Sequence, residues 1–456
     1  MAKKEDLASA ILGEAGFAQT RRFEQVDGSP IPFMLWVGDG RAYKASALTF
    51  ELIQTYVSVL TADDSSLTQL FTEMEIVEAA ATSIANFIDK TPNRELASLP
   101  IKYKACDLDA SILSILNKKA FTRRHIFGCS FVRGAFPAIS IGPAIFESRS
   151  QLVERMELQG EISTVIVRRL RSKWAGNRVR PVKNPWARHN ETAILDAVGA
   201  ALNVCTVETG NQSAKSSLPK ALLIARVATT VIVLMWKTPS KALKDMGLSF
   251  DGGFHRQHYA TTTGSGFIGS SSGVAGIAGG RYVDDDWYGD WVNFSKICGP
   301  AGEALNLYSD PSYFSERPNI LKRLFISLWW FHNGCREQSD FMAVTKFAAA
   351  MDSLAGGNGQ EGIKNLIEKR LERAADVPWL RDGRTPANLI REIYKLTRSP
   401  MIHGSMENFD RDWSSYRVSA EFVARECLVA ALHWMSKNPY ANDISLLTSA
   451  EPPSPS

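Results

Sequence analysis

The sequence predicts a mainly α protein, in which a mixed α+β N-terminal region precedes a C-terminal antiparallel helical bundle. Two observations carry this prediction. Apolar residues recur at helical spacing through most of residues 318–434, and Gly, Pro and hydroxyl residues separate the stretches where helices should end and begin. Nearer the N-terminus, short apolar runs are closed by turn residues, as at residues 32–37 before Gly-Asp-Gly, which is typical of strands.

The first 310 residues divide into two regions by composition. Residues 1–110 are predicted to be a mixed α/β region and a candidate sensor, and residues 111–310 a basic and helical middle region. Helices are expected at residues 48–60, 67–88, 191–205 and 218–236, and short strands at residues 32–37 and within 131–146. A chain of 456 residues is long enough for two or three domains, which agrees with this division.

The middle region contains a segment, residues 252–280, that is rich in Gly, Ser and Thr. This composition disfavours helix and sheet alike, and it predicts a flexible loop or linker. No Gly-Lys-Ser/Thr sequence ends the segment, so a phosphate-binding loop is not expected. Three aspartates at 284–286 and the nearby His255 and His258 suggest metal ligands, but acids in a solvated loop are more common. We therefore predict no metal site and no cofactor.

Residues 315–440 have the clearest helical pattern of the chain. Thr385 and Pro386 make a sound helix start, with a hydroxyl N-cap followed by proline in the first turn. Pro400 disfavours helical geometry at the residue before it, so that helix should end or kink at Ser399. Five helices are predicted, at residues 318–335, 340–354, 361–375, 385–396 and 418–434. Helices in this order fit an antiparallel bundle, and residues 441–456 are expected to be a disordered tail.

The most informative motif, Arg-Ser-Pro-Met-Ile-His-Gly at positions 398–404, follows the fourth of these helices. Arg398 stays charged and offers a planar set of donors suited to phosphate. His403 carries the side chain best able to accept and release a proton near pH 7. A metal-free ribonuclease needs both, because one group acts on the 2'-hydroxyl proton while another holds the phosphate. The alternative is structural, since Arg and His near a helix C-terminus are favoured by the helix dipole alone.

The residues around this motif resemble the C-terminal domain of the ApeA-like HEPN family, found in prokaryotic anti-phage proteins. That family carries Arg-Ser-x-x-x-His-Gly preceded by a Tyr, here Tyr394, and an earlier helix with an acid-x-Leu pattern, here beginning at Asp352. The resemblance extends from near residue 315 to near residue 437. Asp352 stands where the family more often has Glu, and Thr397 is inserted before Arg398. Both departures leave the Arg–His pair in place.

The resemblance implies an anti-phage effector of the abortive-infection type that cleaves RNA, with tRNA anticodon loops as candidate substrates. It implies that Arg398 and His403 are catalytic, and that two such domains pair so that two Arg/His sets form one groove. A homodimer or a higher even-numbered oligomer follows. Ser399, Tyr394 and Asp352 are predicted to support the pair, and packing or capping is the alternative role for each. The N-terminal region would restrain or trigger the ribonuclease in response to a phage-derived trigger or a partner subunit.

Positive charge is concentrated in the middle of the chain. Residues 111–190 hold fifteen Lys or Arg against four Glu, a net charge of +11 in a chain whose total is +4. The stretch 162–190 contains no acid and interleaves its cations with tryptophans, which suits the phosphates and bases of single-stranded nucleic acid. The predicted nucleic-acid-binding residues are Arg168, Arg169, Arg171, Lys173, Trp174, Arg178 and Arg180. A solvated basic face, or a surface for an acidic partner subunit, is the alternative.

Composition also indicates the compartment. The six cysteines are scattered without a Cys-x-x-Cys pair, which argues against a zinc ribbon and a disulfide framework and favours the reducing cytoplasm. The first residues lack the apolar stretch of a signal peptide. The most apolar stretch, residues 221–236, is shorter than the roughly 20 residues that span a membrane, and it contains Arg226. We therefore expect a core helix there and no membrane contact.

Two other functions fit the same residues. In one, the C-terminal helices are a catalytically silent dimerisation or nucleotide-binding module in an adaptor of a larger defence or nucleic-acid complex, where Arg398 and His403 bind a phosphate without cleaving. In the other, the chain is a nucleic-acid-binding scaffold that acts through residues 162–190. Growth after induction discriminates between them, because an unrestrained ribonuclease should slow growth and His403→Ala should relieve it.

Overall fold

The computed structural model describes residues 4–20, 33–36, 42–90, 101–131, 136–251, 255–262, 268–275, 287–380, 383–394 and 411–449. Over these residues the protein is mostly helical, with a small antiparallel sheet in the middle of the chain, which confirms the predicted fold class at this level. The chain forms two compact units, Met1–Arg123 with Thr209–Lys220, and Arg124–Glu208 with Ala221–Ser456.

These units differ from the regions predicted from the sequence. Residues 111–123 and 209–220 belong to the N-terminal unit, whereas the rest of the middle region shares a unit with the C-terminal helices. The reason is a common core. Phe131, Phe146 and Cys205 of the middle region are buried in the same apolar cluster as Leu324 and Leu432 of the C-terminal helices. The middle region is therefore part of a larger domain and not a separate one.

The first unit is built from helices around a short hairpin. Its described elements are α1 (Lys4–Thr20), β1 (Phe33–Trp36), β2 (Ala42–Ala45), α2 (Ala47–Asp63), α3 (Leu67–Leu70), α4 (Glu73–Lys90) and α5 (Ile101–Asn117). β1 pairs antiparallel with β2, with Phe33 opposite Ala45. The single helix predicted at 67–88 is divided, because the Thr72 backbone N–H donates to Glu75 Oε2 at 3.0 Å and starts α4 there.

The antiparallel sheet has five strands in the order β4-β5-β6-β3-β7. They are β3 (Phe121–Ser130), β4 (Ile139–Ile141), β5 (Ala144–Ser148), β6 (Asn203–Gln212) and β7 (Gly247–Leu248). The central pairing sets Phe146 of β5 opposite Cys205 of β6. The prediction of a helix from 191 to 205 was therefore wrong at both ends. The helix begins at residue 185, after the N-cap Asn184, and a turn at Gly199 (φ +55°) precedes β6.

Three helices of the second unit share a small apolar core: α6 (Arg149–Leu158), α7 (Thr164–Trp174) and α8 (Pro185–Val198). Leu152 and Val153 of α6, Val167 and Leu170 of α7, and Val198 of α8 are buried in it. The apolar positions of α7 are spaced by three or four residues, so one face of the helix is buried and its cations lie elsewhere. This packing fixes the position of residues 162–190, which we call the basic segment, on the domain.

The remaining helices belong to the second unit, except that residues 214–220, at the start of the first of these helices, belong to the first unit. They are α9 (Ala214–Val233), α10 (Pro239–Asp245), α11 (Trp287–Ser295), α12 (Gly299–Ser309), α13 (Pro318–Arg336), α14 (Asp340–Leu354), α15 (Gly359–Arg370), α16 (Pro386–Ile393) and α17 (Ser414–Lys437). The start of α16 is as predicted, since Thr385 Oγ1 accepts from the Asn388 backbone N–H at 3.0 Å and Pro386 follows. α14 packs mainly against α13 and α17, and it is the central helix of this bundle.

The bundle is antiparallel only in part. Arg317, at the start of α13, donates from Nη1 to the carbonyl of Met435 near the end of α17, at 2.7 Å, so these two helices run in opposite directions. The starts of α14 and α17 meet instead, with Arg417 Nη1 2.7 Å from Asp340 Oδ1, so these two run in the same direction. Five full-length antiparallel helices would each run opposite to the one before, and the shorter α15 and α16 do not complete such a pattern.

Two segments that were expected to lack structure have some. Within residues 252–280, β8 (His255–Thr262) and β9 (Ile268–Ala275) form an antiparallel hairpin, with Thr262 opposite Ile268. The paired backbone therefore overrides the low strand propensity of Gly and Ser. The aspartates at 284–286 lie outside the described residues. In the predicted tail, residues 444–447 form a 3₁₀ turn whose Leu447 is fully buried, while residues beyond 449 lie outside the described part.

One described helix, α9, is long and apolar enough to cross a membrane. Two thirds of that stretch (67%) is buried inside the protein, as in the core helix of a soluble domain.

His332 of α13 is buried against α9, where its Nδ1 lies 2.8 Å from Thr230 Oγ1. Burial, helped by the nearby Arg336 and Arg226 and opposed by Asp251, lowers the pKa of His332 to about 3. An unfolded His takes up a proton below pH ~6.5, whereas the folded one stays neutral until much lower pH. The unfolded state therefore binds more protons over this interval, and we expect the free energy of unfolding to fall as pH drops from about 6.5 towards 3.

The measurement is the urea midpoint as a function of pH for the wild type, His332→Gln and His433→Gln, since His433 is exposed on α17. The wild type and His433→Gln should lose stability together on acidification, and His332→Gln should have a shallower slope because glutamine does not titrate. Equal slopes for all three proteins would show that His332 does not contribute.

Candidate functional site

The predicted catalytic residues Arg398 and His403, with Ser399, lie outside the described residues. The described residues on either side of the motif end at Tyr394, one residue after α16, and begin again at Arg411, three residues before α17. These two ends are the described neighbours of the motif along the chain. Both ends belong to the bundle around α14.

Tyr394 and Asp352, two of the predicted supporting residues, both lie near Gly359. Asp352 of α14 is buried (6% exposed), and its Oδ1 accepts from the Gly359 backbone N–H at 2.8 Å. The ring of Tyr394 is 4.0 Å from where a Cβ of Gly359 would lie. Gly359, with φ +64°, begins α15 and separates the two side chains. An acid at the first free N–H of a helix is a favourable cap, so the capping alternative for Asp352 is observed.

A cluster that the sequence did not reveal borders the same segment. The guanidinium carbons of Arg384 and Arg411 lie 4.0 and 4.7 Å from the ring centroid of Tyr416, at the start of α17. The Tyr416 hydroxyl donates to Glu392 Oε2 of α16 at 2.7 Å. Arg411 also lies over the ring of Trp413, at 5.4 Å. Arg384 Nη1 also lies 3.8 Å from Glu392 Oε2, so this carboxylate faces both the phenol and one of the two guanidinium groups.

The electrostatics of this cluster favour a neutral phenol. Burial, and then the hydrogen bond to Glu392, raise the pKa of Tyr416, while Arg411 and Arg384 oppose the rise. Tyr416 therefore keeps its proton near neutral pH and acts as a donor and as an aromatic surface for the two arginines. The sequence offers one local signal for this cluster, because Arg411 is closely followed by Trp413 and Tyr416. The contact of Tyr416 with Arg384 depends on tertiary packing and has no such signal.

Some cations of the basic segment form ion pairs with acids of the same domain, and others do not. Glu191, the first acid after the acid-free stretch, is buried in α8 and accepts from Arg169 Nε at 3.0 Å and Lys173 Nζ at 2.6 Å. Burial opposes ionisation of this carboxyl, but the hydrogen bonds and charges of Arg169 and Lys173 outweigh it and lower the pKa of Glu191. These two predicted nucleic-acid contacts thus hold α7 against α8.

Two more of the predicted nucleic-acid-binding residues, Arg171 and Trp174, contact other residues of the same domain. Arg171 pairs with Glu154 of α6, although both side chains remain about half exposed. Trp174 is partly buried and packs on the core of these helices, and the Arg149 guanidinium lies 5.1 Å from its ring centroid. A ring covered in this way offers less surface to a nucleic-acid base than an exposed one.

The other three predicted contacts, Arg168, Arg178 and Arg180, are exposed and form no ion pair within the described residues. Arg178 and Arg180 lie in the loop that joins α7 to α8, where Lys183 and Trp186 follow. Of the predicted nucleic-acid-binding residues, only Arg168 of α7 and the two loop arginines are therefore exposed without an ion pair within the described residues.

Within the described residues, no group of three or more His, Cys, Asp or Glu side chains is arranged to hold a metal ion. The six cysteines are free thiols, and all but Cys106 are buried. Comparison with known proteins adds no relative: no family model, no curated protein and no solved structure matches this chain.

Proposed function

We propose that this protein is a metal-independent endoribonuclease of anti-phage defence that acts in the cytoplasm through Arg398 and His403. The observation that carries the proposal is the Arg-x4-His motif with its surroundings. Tyr394, four residues before Arg398, and Asp352 both lie near Gly359, and the cluster of Arg384, Arg411 and Tyr416 includes the first described residue after the motif. The position of two predicted supporting residues near Gly359 supports a common role.

In the proposed reaction His403 takes the proton from the ribose 2'-hydroxyl, and the 2'-oxygen attacks the adjacent phosphorus. The bond from phosphorus to the 5'-oxygen breaks, and that oxygen receives a proton from a general acid. Arg398 binds the scissile phosphate and offsets the charge that develops on it. The products are a 2',3'-cyclic phosphate and a 5'-hydroxyl.

One histidine cannot act as base and acid in the same step, so the proposal includes a second set of residues from another copy of the chain. In a twofold dimer the same surface of each copy meets its equivalent, which brings two Arg398–His403 sets to one groove. Ser399 would bind phosphate, and Tyr394 and Asp352 would orient the motif from the side of α15. The N-terminal unit would restrain the ribonuclease until a phage-derived trigger or a partner subunit releases it.

The test is the chemistry of the substrate. In EDTA, the protein should cut a single-stranded RNA and leave intact both the DNA of the same sequence and the RNA with 2'-O-methyl groups, because both lack the nucleophile. Gel electrophoresis of end-labelled oligonucleotides measures all three. Cleavage of the DNA at a rate similar to that of the RNA would contradict the mechanism.

A further inference from the structure

The loop between α7 and α8 and the start of α8 carry an exposed tryptophan and three cations that form no ion pair with any residue that the structure describes. Trp186 is 78% exposed at the second position of α8. Arg178, Arg180 and Lys183 precede it, are exposed, and form no ion pair within the residues that the structure describes. We call Trp186 with these three cations the Trp186 face. Residues 175–190 contain no acid, and the next one, Glu191, is already neutralised by Arg169 and Lys173.

Hydrogen bonds on both sides of Lys183 order the end of this loop, next to α8. Arg188 donates from Nη2 and Nε to the carbonyl of Val182, at 2.8 and 3.2 Å. Asn184 Oδ1 accepts from the backbone N–H of Trp186 at 2.9 Å and caps α8. The indole is therefore presented from a helix end whose backbone is fixed. A preformed surface loses less conformational freedom when it binds a partner.

We propose that the Trp186 face binds single-stranded RNA, with a base stacked on the indole and phosphates held by Arg178, Arg180 and Lys183. Covering a large exposed indole lowers the free energy, and every base has a flat face that can cover it. The surrounding cations match a phosphate backbone, whereas an apolar protein partner would leave them buried without counter-charges. A duplex fits less well, because its base faces are already stacked on one another.

The inference deepens the proposed ribonuclease, whose substrate this face would hold, but its test does not require cleavage. The binding of a fluorescein-labelled oligouridylate RNA is measured by fluorescence anisotropy in EDTA, with His403→Ala as the parent so that the RNA stays intact. Trp186→Ala in this parent should weaken binding about 5- to 150-fold, the range expected for the loss of one stacked base. Trp186→Phe should retain most of the affinity.

The matched control is Trp36→Ala, because Trp36 is also an exposed tryptophan (58%) and lies on β1, outside the Trp186 face. It should bind RNA like the parent. Arg178→Ala with Arg180→Ala should weaken binding and reduce the slope of log affinity against log salt by about 1.4, or about 0.7 for each lost phosphate contact. Lys241→Ala with Lys244→Ala, which removes two exposed cations of α10, should change neither quantity.

Three results would overturn the inference. The first is parental affinity for both the Trp186→Ala and the Arg178→Ala/Arg180→Ala proteins. The second is competition by an RNA duplex as strong as that by the single strand. The third is equal binding of polyglutamate that depends on the arginines but not on Trp186, which would indicate a docking surface for an acidic protein. Failure of the wild type to cleave RNA would leave this binding result unaffected, so the two proposals fail separately.

Discussion

Replacing His403 with alanine is expected to lower the rate of RNA cleavage by about 10²- to 10⁴-fold, because general acid–base catalysis by a positioned side chain contributes that much. The single-turnover rate on an end-labelled RNA in EDTA measures the effect. Arg398→Ala should cost about 10²- to 10³-fold, since it removes the group that offsets charge on the phosphate. Folding should be unchanged, which circular dichroism checks.

The chain provides matched controls for both substitutions. His433→Ala removes an exposed histidine of α17, and Arg323→Ala removes an exposed arginine of α13, and neither should change the cleavage rate. In cells, induction of the wild type should slow growth, and His403→Ala should restore it. Cleavage by His403→Ala within a few-fold of the wild type would favour a structural role for the motif.

Replacing Phe347 with alanine is expected to lower the free energy of unfolding by about 3–5 kcal/mol. Phe347 is fully buried at the centre of α14, and its ring lies 5.3 Å from that of Phe331, between centroids. The ring also faces Gly334 of α13, where an added Cβ would come within 2.7 Å of Phe347 Cε1. The ring therefore packs directly against the backbone of α13, and truncation leaves a cavity that this rigid contact cannot close.

Urea unfolding followed by circular dichroism measures the loss. Phe314→Ala is the control, because Phe314 is 81% exposed and its truncation removes few contacts. Its free energy of unfolding should stay within about 0.5 kcal/mol of the wild type. Equal stability of Phe347→Ala and Phe314→Ala would contradict the packing of the Phe347 ring against the backbone of α13.

Local signals predicted the C-terminal helices, and they failed where pairing at a distance decides the structure. Thr385 and Pro386 fix the start of α16 by a contact within four residues, so the sequence suffices there. Cys205 was assigned to a helix, but its position in β6 depends on pairing with Phe146, almost sixty residues earlier. The hairpin of β8 and β9 is a local pairing, and it was missed for another reason: its Gly and Ser residues have low strand propensity.

The basic segment illustrates the same limit for the candidate site. Its cations were predicted to face a nucleic acid because no acid occurs between residues 162 and 190. Two acids outside that stretch decide otherwise: Glu191 binds Arg169 and Lys173, and Glu154 binds Arg171. Charge counted along a chain cannot detect such pairs, since helix packing brings them together. The predicted cations that stay exposed without an ion pair in the described part of the chain are Arg168 and the two arginines of the loop before α8.

The most direct test of the ribonuclease proposal is incubation of the purified full-length protein with total tRNA in EDTA, with and without phage-infected lysate. The wild type is run beside Arg398→Ala and His403→Ala. We expect discrete fragments that end in a 2',3'-cyclic phosphate and a 5'-hydroxyl, from the wild type alone. The same fragments in all three proteins, or intact tRNA in every lane including those with infected lysate, would contradict the proposal.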